Sequence, residues 1–349
     1  MDDQLIEVRA DERFDVVKLQ EWLKGRLPGS DGPLEVRQFS RGNANLTYLL
    51  SYGEHDYVLR RPPLGPVAAG SHDMAREHRV LSTLWTEFPK AARAHLYCAD
   101  PEIIGADFFV MERKHGVVVQ GIVPEIYGSG RDETANRALS TAVIDTLVEL
   151  HAVDPRAAGL GDLGRPEGFL GRQVKGWIDR WGRAKHEENR VADELGGWLA
   201  DNIPDDLTPT LIHNDWRLDN LALDKHDPGR CVAAYDWDMC TRGDPLADLG
   251  TLMAFWYDAG EEATSFKPMP TEVPGFMSRR EAMSRYAELS GRDLSNADWY
   301  VVFGTFKLAA VLQQIFIRWH RGQTKDDRFS VLGEGAARLM DLAAARRPR

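Results

Sequence analysis

The stretch that decides the fold runs from Leu211 to Asn220 and reads LIHNDWRLDN. It opens on apolar residues typical of a strand and then turns polar, with Asp215 and Asn220 five positions apart. A second β-prone run, Leu221–Leu223, follows at once. The pattern therefore predicts a polar loop between two short strands. A carboxylate and an amide on one such loop are suited to accepting a proton and to binding a hard metal cation.

A second acidic motif lies further along the chain. Sixteen residues after Asn220, Tyr235–Asp238 reads YDWD at the end of a third short predicted strand. We expect the Asp236 carboxylate to project into the same cleft as Asp215. The spacing H-x-D-x-x-x-x-N is that of the protein-kinase catalytic loop, in which Asp is the base and Asn a metal ligand. Phosphoryl transfer needs this combination, because magnesium ions offset the charge on the phosphates.

The first third of the chain is predicted to be a small antiparallel sheet with one helix. The helix is expected over Asp73–Thr86, where apolar residues recur at helical spacing. The predicted strands are Glu35–Ser40, Leu46–Leu50, Tyr57–Arg60, Ile103–Ile104 and Phe108–Met111.

The rest of the chain is predicted to be mainly helical. The expected helices are one ending near His151, one beginning near Leu249, and Trp177–Ala200, Arg279–Leu289, Trp299–Trp319 and Gly333–Ala345. The fold class is therefore α+β with two lobes: residues 1–115 form an N-terminal lobe, 111–116 a hinge, and 116–349 a helical C-terminal lobe.

These motifs resemble a known family. His213–Asn220, Tyr235–Asp238 and Gly243–Leu249 (GDPLADL) are similar to the aminoglycoside phosphotransferase / choline kinase-like family, and the resemblance covers roughly residues 35–320. It implies a protein-kinase-like fold. Further short matches resemble the branch of the family that is also fused to some acyl-CoA dehydrogenases: Tyr57–Pro63, Arg76–His78, Leu150–His151 and Arg172–Trp177.

The resemblance implies roles for residues that bind ATP. Arg60 takes the place of the third-strand cation that holds the α- and β-phosphates, and Glu77 that of its helical partner. Position 60 is Arg where Lys is more usual, but a guanidinium is a good bidentate phosphate ligand. Phe39–Tyr48 is similar to the nucleotide-binding hairpin, with Gly42, Asn43 and Asn45 at its turn.

The remaining roles that the resemblance implies concern adenine, the proton and the metal. The hinge residues, whose backbone would hydrogen-bond adenine, are Met111, Glu112 and Lys114. Asp215 would be the base, and Asn220 and Asp236 would bind Mg²⁺. The implied cofactors are thus ATP and magnesium.

Three neighbouring residues have alternative interpretations. His213 is expected to brace the loop rather than to shuttle a proton. Asp238 is either a second metal contact or a turn residue. Asp248 is expected to order the catalytic loop or to cap the helix that begins near Leu249, rather than to contact ATP.

Composition excludes some classes of protein. The 349 residues contain 43 Lys and Arg against 54 Asp and Glu, a formal charge of −11, which argues against a nucleic-acid partner. Trp299–Ile317 is apolar but is interrupted by Lys307 and by Gln313 and Gln314, so a core helix is expected and no membrane partner. The acidic start has no signal-peptide pattern, and we expect a cytoplasmic protein.

The sequence therefore favours an ATP- and magnesium-dependent kinase that phosphorylates a hydroxyl group of a small molecule. The acceptor stays open, with a hydroxy acid or an acyl-CoA-type metabolite among the candidates. A non-catalytic nucleotide-binding pseudokinase is the alternative. A protein kinase is disfavoured, because the H-R-D, D-F-G and A-P-E motifs are not present in that form. Monomer and homodimer both stay open.

Overall fold

The computed structural model describes residues 5–40, 45–64, 72–261, 269–324 and 326–348. The chain forms two compact units. The first, here called the sheet unit, comprises Met1–Val117 together with two later segments, Arg156–Leu160 and Val232–Cys240. The second, the helical unit, comprises Val118–Pro155, Gly161–Cys231 and Thr241–Arg349.

The sheet unit is built on a six-stranded antiparallel sheet. Its strands, in chain order, are β1 Leu5–Ile6, β2 Glu35–Phe39, β3 Leu46–Tyr52, β4 His55–Arg61, β5 Ala94–Cys98 and β6 Phe108–Glu112. In space the order is β1-β2-β3-β4-β6-β5. A two-residue turn joins β3 to β4, and its first residue, Gly53, has a φ of 63°, which suits a tight hairpin. β7, Val117–Val118, follows at the end of this part of the chain.

Three helices accompany the sheet: α1 Val16–Leu23, α2 Met74–Thr83 and α3 Pro101–Ile104. The main apolar core includes Leu19 and Leu23 of α1 with Tyr48, Leu50 and Leu59 of the sheet. Since side chains alternate along a strand, Arg60 points to the face opposite Leu59. On that face of the sheet, Arg60 contacts Glu77 of α2.

The sheet unit differs from the prediction in its strands and in its helices. Ile103 and Ile104 end the short helix α3, because Asp100 caps it and Pro101 occupies its first turn. The fifth main strand is Ala94–Cys98 instead. Helix α1, whose N-cap is Asp15, was also not predicted. The expected helix over Asp73–Thr86 is present as α2, followed by a 3₁₀ turn at Leu84–Thr86.

The helical unit contains seven helices among its described residues: α4 Glu133–Ala152, α5 Phe169–Ala184, α6 Arg190–Asp201, α7 Pro245–Ala254, α8 Arg279–Ser290, α9 Ala297–His320 and α10 Leu332–Ala345. Its strands are β8 Thr210–Ile212, β9 Leu221–Asp224, β11 Thr241–Gly243, and the first part of β10, Asp227–Ala234. β8 pairs with β11 in antiparallel fashion. The single helix predicted over Trp177–Ala200 is wrong, because Asn189 caps a new helix there, its side chain accepting the N–H of Ala192 at 2.9 Å.

Helix α9 is the centre of the helical unit and packs against α5, α7 and α10. Among the described residues it alone is long and apolar enough, by length and composition, to cross a membrane. However, 78% of its most apolar 18-residue window is buried inside the protein, which is the behaviour of a core helix. Its crossing with α7 is very close: a Cβ on Gly304 would lie 2.3 Å from the carbonyl oxygen of Gly250.

Candidate active site

The predicted catalytic loop lies in the helical unit, between β8 and β9. Asn214 adopts a left-handed conformation, with φ 66°, and Leu218–Asn220 forms one 3₁₀ turn. A non-glycine residue at positive φ is uncommon and strained, and such positions concentrate at functional sites. Asp215, immediately after it, is partly exposed.

Asp248, in the first turn of α7, holds this loop. Its two carboxylate oxygens accept the backbone N–H groups of His213 and Asn214, each at 2.6 Å. The N-cap of α7 is Asp244, whose side chain accepts the N–H of Leu246. Of the two roles left open for Asp248, the structure shows that it orders the loop, and that Asp244 caps the helix.

A buried chain of hydrogen bonds supports Asp248. The Nε2 atom of His151 lies 3.3 Å from its carboxylate, and the Nδ1 atom lies 2.7 Å from the hydroxyl of Tyr286. Burial would raise the pKa of Asp248, but the hydrogen bond from His151 and the charges and N–H around it hold that pKa below its usual value. Burial lowers the pKa of His151, against the pull of Asp248. These two shifts favour a neutral imidazole beside an ionised carboxylate.

Asp215 and Asn220 are held together. The Nδ2 group of Asn220 donates to the backbone oxygen of Asp215 at 2.8 Å and to its Oδ2 at 3.0 Å. Because the amide nitrogen of Asn220 points toward Asp215, its amide oxygen points away from Asp215. The backbone N–H of Asp215 donates to Nδ1 of the fully buried His213 at 3.3 Å. This contact is consistent with the bracing role expected of His213.

Lys307, on α9, was missed as a candidate site residue. Its Nζ donates to the backbone oxygen of Asn214 at 2.7 Å, next to Asp215. The residue is only 9% exposed. Burial lowers the pKa of Lys307, while the charges of Asp215 and Asp248 oppose that shift. The sequence signal is a single cation in the apolar stretch Trp299–Ile317, which the pattern alone marks only as an interruption of that stretch.

The second group of predicted residues lies in the sheet unit around Arg60. Its NH1 lies 2.9 Å from Oε1 of the fully buried Glu77, and its NH2 contacts Oδ1 of Asp236. Asp236 has a φ of 68°. It is tied to this unit by its neighbour Ala234, whose N–H donates to the carbonyl of Lys90 at 2.9 Å. One guanidinium thus contacts both predicted acidic residues.

Charge and burial compete at this cluster. Burial raises the pKa of Glu77 to about 8, although the positive charge of Arg60 works against the rise. Burial would lower the pKa of Arg60, but Glu77 and Asp236 together raise it. The guanidinium of Arg60 therefore stays charged, and its positive charge favours the ionised form of the carboxylates beside it. Asp238 adds negative charge nearby from the 3₁₀ turn Trp237–Met239.

Asn45 completes the cluster. In the amide orientation that satisfies both groups, its oxygen accepts from NH2 of Arg60 at 2.8 Å and its nitrogen donates to Nδ1 of His72 at 2.7 Å. The side chain is buried, with 2% exposed. The other two predicted hairpin residues, Gly42 and Asn43, lie outside the described residues.

The predicted hinge residues lie at and just after the end of β6. Met111 pairs with Val58 of β4. The N–H of Glu112 donates to the carbonyl of Arg93 at 2.8 Å, so this N–H is already used in a backbone hydrogen bond within the sheet unit. The Glu112 side chain pairs with Lys114 at 2.9 Å, and the Lys114 carbonyl accepts from the hydroxyl of Tyr235 at 3.3 Å. Adenine binding by these residues stays a prediction.

The fold and the site together define a phosphotransferase of the kinase-like type. Residues 35–267 match the family described as "Phosphotransferase enzyme family", and this chain belongs to that family. A crystal structure from Ralstonia eutropha, provisionally named an aminoglycoside phosphotransferase, is 27% identical; the match covers 96% of this chain and 98% of that one, with a TM-score of 0.82. The predicted family and α+β kinase-like fold are confirmed.

The branch within the family is also confirmed. Acyl-CoA dehydrogenase family member 11 of Gallus gallus is 34% identical over 327 residues. The match covers 90% of this chain but 41% of that protein, so this chain spans about two fifths of its relative's length. A thermostable mutant of the aminoglycoside phosphotransferase APH(4)-Ia, in a ternary complex with ADP and hygromycin B, shares the fold at 17% identity, with 95% and 99% of the chains covered and a TM-score of 0.59.

Proposed function

We propose that this chain transfers the γ-phosphate of ATP to a hydroxyl group of a small molecule, with Asp215 as the general base. The observation that carries the proposal is the geometry of the loop. Asp215 is bonded to Asn220 through both its backbone and its carboxylate, on a loop whose backbone is fixed by Asp248. A base held before the substrate arrives avoids part of the entropic cost of reaching the transition state.

The proposed role of Arg60 is to bind the phosphates of ATP. A planar guanidinium forms paired hydrogen bonds to phosphate oxygens. Arg60 is buried and is oriented by Glu77 at 2.9 Å and by Asn45 at 2.8 Å. These contacts support the role, because they fix the direction of the guanidinium.

Asn220 and Asp236 fit the proposed magnesium ligands by their chemistry. Magnesium prefers hard oxygen ligands, and these residues offer an amide oxygen and a carboxylate. The amide nitrogen of Asn220 is committed to Asp215, which sets the direction of the oxygen. Asp236 already contacts a cation, Arg60. When bound, magnesium would offset the negative charge of the phosphates.

For the acceptor we propose a hydroxylated acid or its acyl-CoA thioester. The support is the name of the relatives, which places a similar domain in chains named for acyl-CoA dehydrogenation. Because this chain covers 41% of such a relative, the activity of the longer protein is not transferred to it. The proposal concerns the acceptor alone.

The test is a metabolite screen with purified protein, ATP and magnesium, followed by Asp215→Ala and Asp236→Ala. Loss of a general base lowers turnover by about 10²–10⁴-fold, and we expect phosphate transfer to collapse in both variants while each still unfolds cooperatively. Asp205→Ala, at an exposed position, is the matched control. Full activity in Asp215→Ala would refute the mechanism. ATP binding without transfer by the wild type to any acceptor would favour the pseudokinase alternative.

A further inference from the structure

Two cations lie over the ring of one buried tryptophan in the helical unit. The Nζ of Lys307 lies 5.7 Å from the centroid of the Trp177 ring, and the Cζ of Arg180 lies 4.6 Å from it. Trp177 and Arg180 belong to α5, whereas Lys307 belongs to α9. We call these three residues the cationic cluster. Trp177 is 7% exposed, and its indole N–H is buried without an acceptor among the described residues.

The cationic cluster contains positive charges that are not in ion pairs, and hydrogen-bond donors that are not used, among the described residues. Neither Lys307 nor Arg180 forms an ion pair with any residue in the described part of the chain. An ammonium group has three donors, and among the described residues that of Lys307 makes one hydrogen bond, to Asn214. A nearly buried cation without a directly paired anion is costly. An anion supplied by a ligand would offset this cost.

The position of the cluster connects it to the proposed reaction. Lys307 donates to the carbonyl of Asn214, and Asp215 is the next residue, with its Cα about 3.8 Å from that of Asn214. A molecule that presents its hydroxyl to Asp215 would therefore hold a second group, a few bonds away, beside Lys307.

We infer that the cationic cluster binds an anionic oxygen group of the phosphate acceptor, either a carboxylate or a phosphate ester. This inference rests on the proposed function and narrows its acceptor. Lys307 contributes an ammonium group, Arg180 a guanidinium, and Trp177 an indole N–H; all three donate to anionic oxygens. A polycation such as an aminoglycoside, or a quaternary ammonium such as choline, would meet like charge at this place. The acceptor class is therefore an acidic hydroxy compound.

Binding can be tested without nucleotide or turnover. We would measure calorimetric titrations and thermal shifts of the full chain with butyrate, propyl phosphate and butyramide. Butyrate or propyl phosphate should bind at least tenfold more tightly than butyramide, and whichever is tighter identifies the preferred anion. Lys307→Met and Arg180→Gln should each weaken that binding about tenfold or more, whereas Lys307→Arg should retain it. Arg183→Gln, which removes an exposed cation from the same helix, is the control for net charge.

A kinetic measurement separates recognition from mere bracing of the loop. We would compare kcat/KM for hydroxybutanoic acids, their CoA thioesters and the corresponding butanediols. In Lys307→Met the ratio of acid to diol should fall at least tenfold. An equal fall for both acceptors would mean that Lys307 only positions Asn214, and would overturn the inference. So would equal binding of butyrate, propyl phosphate and butyramide, or no detectable binding of either anion.

The two proposals fail in distinguishable ways. Anion binding that depends on Lys307, without phosphate transfer to any acceptor, would keep the cationic cluster and refute the proposed function. Transfer to neutral or cationic acceptors that is as efficient as to acids would keep the proposed phosphate transfer by Asp215, but would refute both the acidic acceptor and the cluster as an acceptor site.

Discussion

The carboxylate of Asp248 accepts the backbone N–H of Asn214 at 2.6 Å, across 34 residues of sequence. Asn214 is the residue with φ 66° that turns the chain into Asp215. The other carboxylate oxygen accepts the N–H of His213. Charged hydrogen bonds of this kind are roughly twice as strong as neutral ones. The conformation in front of Asp215 is therefore maintained by the core of the helical unit rather than by the loop itself.

Asp248→Asn should destabilise the protein and impair the loop. An amide of the same size places an NH₂ donor against one of the two N–H groups, so one buried bond is lost and two donors face each other. We expect a loss of about 2–4 kcal/mol in the free energy of unfolding, with a lower kcat in the proposed reaction. Urea unfolding and phosphate-transfer kinetics measure the two effects. Asp193→Asn, at an exposed pair with Lys185, should cost little, and equal stability of both variants would contradict the prediction.

The buried His151 should make stability depend on pH in a defined window. Burial lowers the pKa of His151 in the folded state, with Asp248 opposing and Arg292 adding to the shift. As the pH falls below about 6.5, the ordinary histidine value, the unfolded chain takes up the proton first. The free energy of unfolding should therefore fall between pH 7 and the lower folded pKa.

His151→Gln removes this titration. Its free energy of unfolding should be lower at pH 7, because the bonds to Asp248 and Tyr286 are weakened, but it should decline less steeply from pH 7 to pH 5. The difference in slope should approach about 1.4 kcal/mol per pH unit. His226→Gln, at an exposed position, should leave the slope as it is in the wild type. If His151→Gln left the pH slope of the free energy of unfolding unchanged, a group other than His151 would be responsible for that slope.

Local patterns predicted the parts of the site that depend on near neighbours. Asp215 and Asn220 lie on a loop between two short strands, as their spacing indicated. The roles of Asp248 and Lys307 depend instead on contacts across 34 and 93 residues. The local sequence pattern does not encode contacts between such distant residues. The sequence therefore leaves two possible roles for Asp248 and predicts no role in the site for Lys307.

The errors in the predicted elements have the same physical origin. Ile103 and Ile104 are β-prone, but Asp100 and Pro101 start a helix there. The apolar spacing from Trp177 to Ala200 suits one helix, yet the cap at Asn189 begins a second one. In both cases a capping residue outweighed the pattern of the side chains around it.

The ion pair of Arg60 and Glu77 predicts a rescue experiment. Arg60→Met leaves Glu77 fully buried beside no cation, and breaking a buried pair on one side costs about 3–5 kcal/mol. The double variant Arg60→Met/Glu77→Gln removes the ionisable carboxyl as well and should recover most of that loss in urea unfolding above about pH 8. Arg137→Met, which breaks a pair with about half of each side chain exposed, should cost at most about 1 kcal/mol.

The same single variant should respond to pH with the opposite sign to His151. Burial already raises the pKa of Glu77 to about 8, and removing Arg60 raises that pKa further. The folded state then binds a proton that the unfolded chain releases near pH 4.3. Because the wild type also retains this proton up to about pH 8, Arg60→Met should lose additional stability relative to the wild type only as the pH rises above about 8. A loss independent of pH, or no recovery in the double variant, would contradict an ion pair as the cause.

The crossing of α7 and α9 predicts that Gly304 cannot be replaced. A Cβ there would lie 2.3 Å from the carbonyl oxygen of Gly250, and backbone atoms cannot yield as a side chain can. Lys307 lies three residues further along α9, on a neighbouring part of the helix surface. Gly304→Ala should therefore cost about 3 kcal/mol or more in unfolding free energy and also weaken the hydrogen bond from Lys307 to Asn214. The matched control is Gly182→Ala in α5, where a Cβ meets nothing within 4 Å; it should stabilise the helix by about 0.5–1 kcal/mol. If both variants were equally stable, the helices could separate at little cost, and the placement of Lys307 beside Asn214 would not depend on this glycine contact.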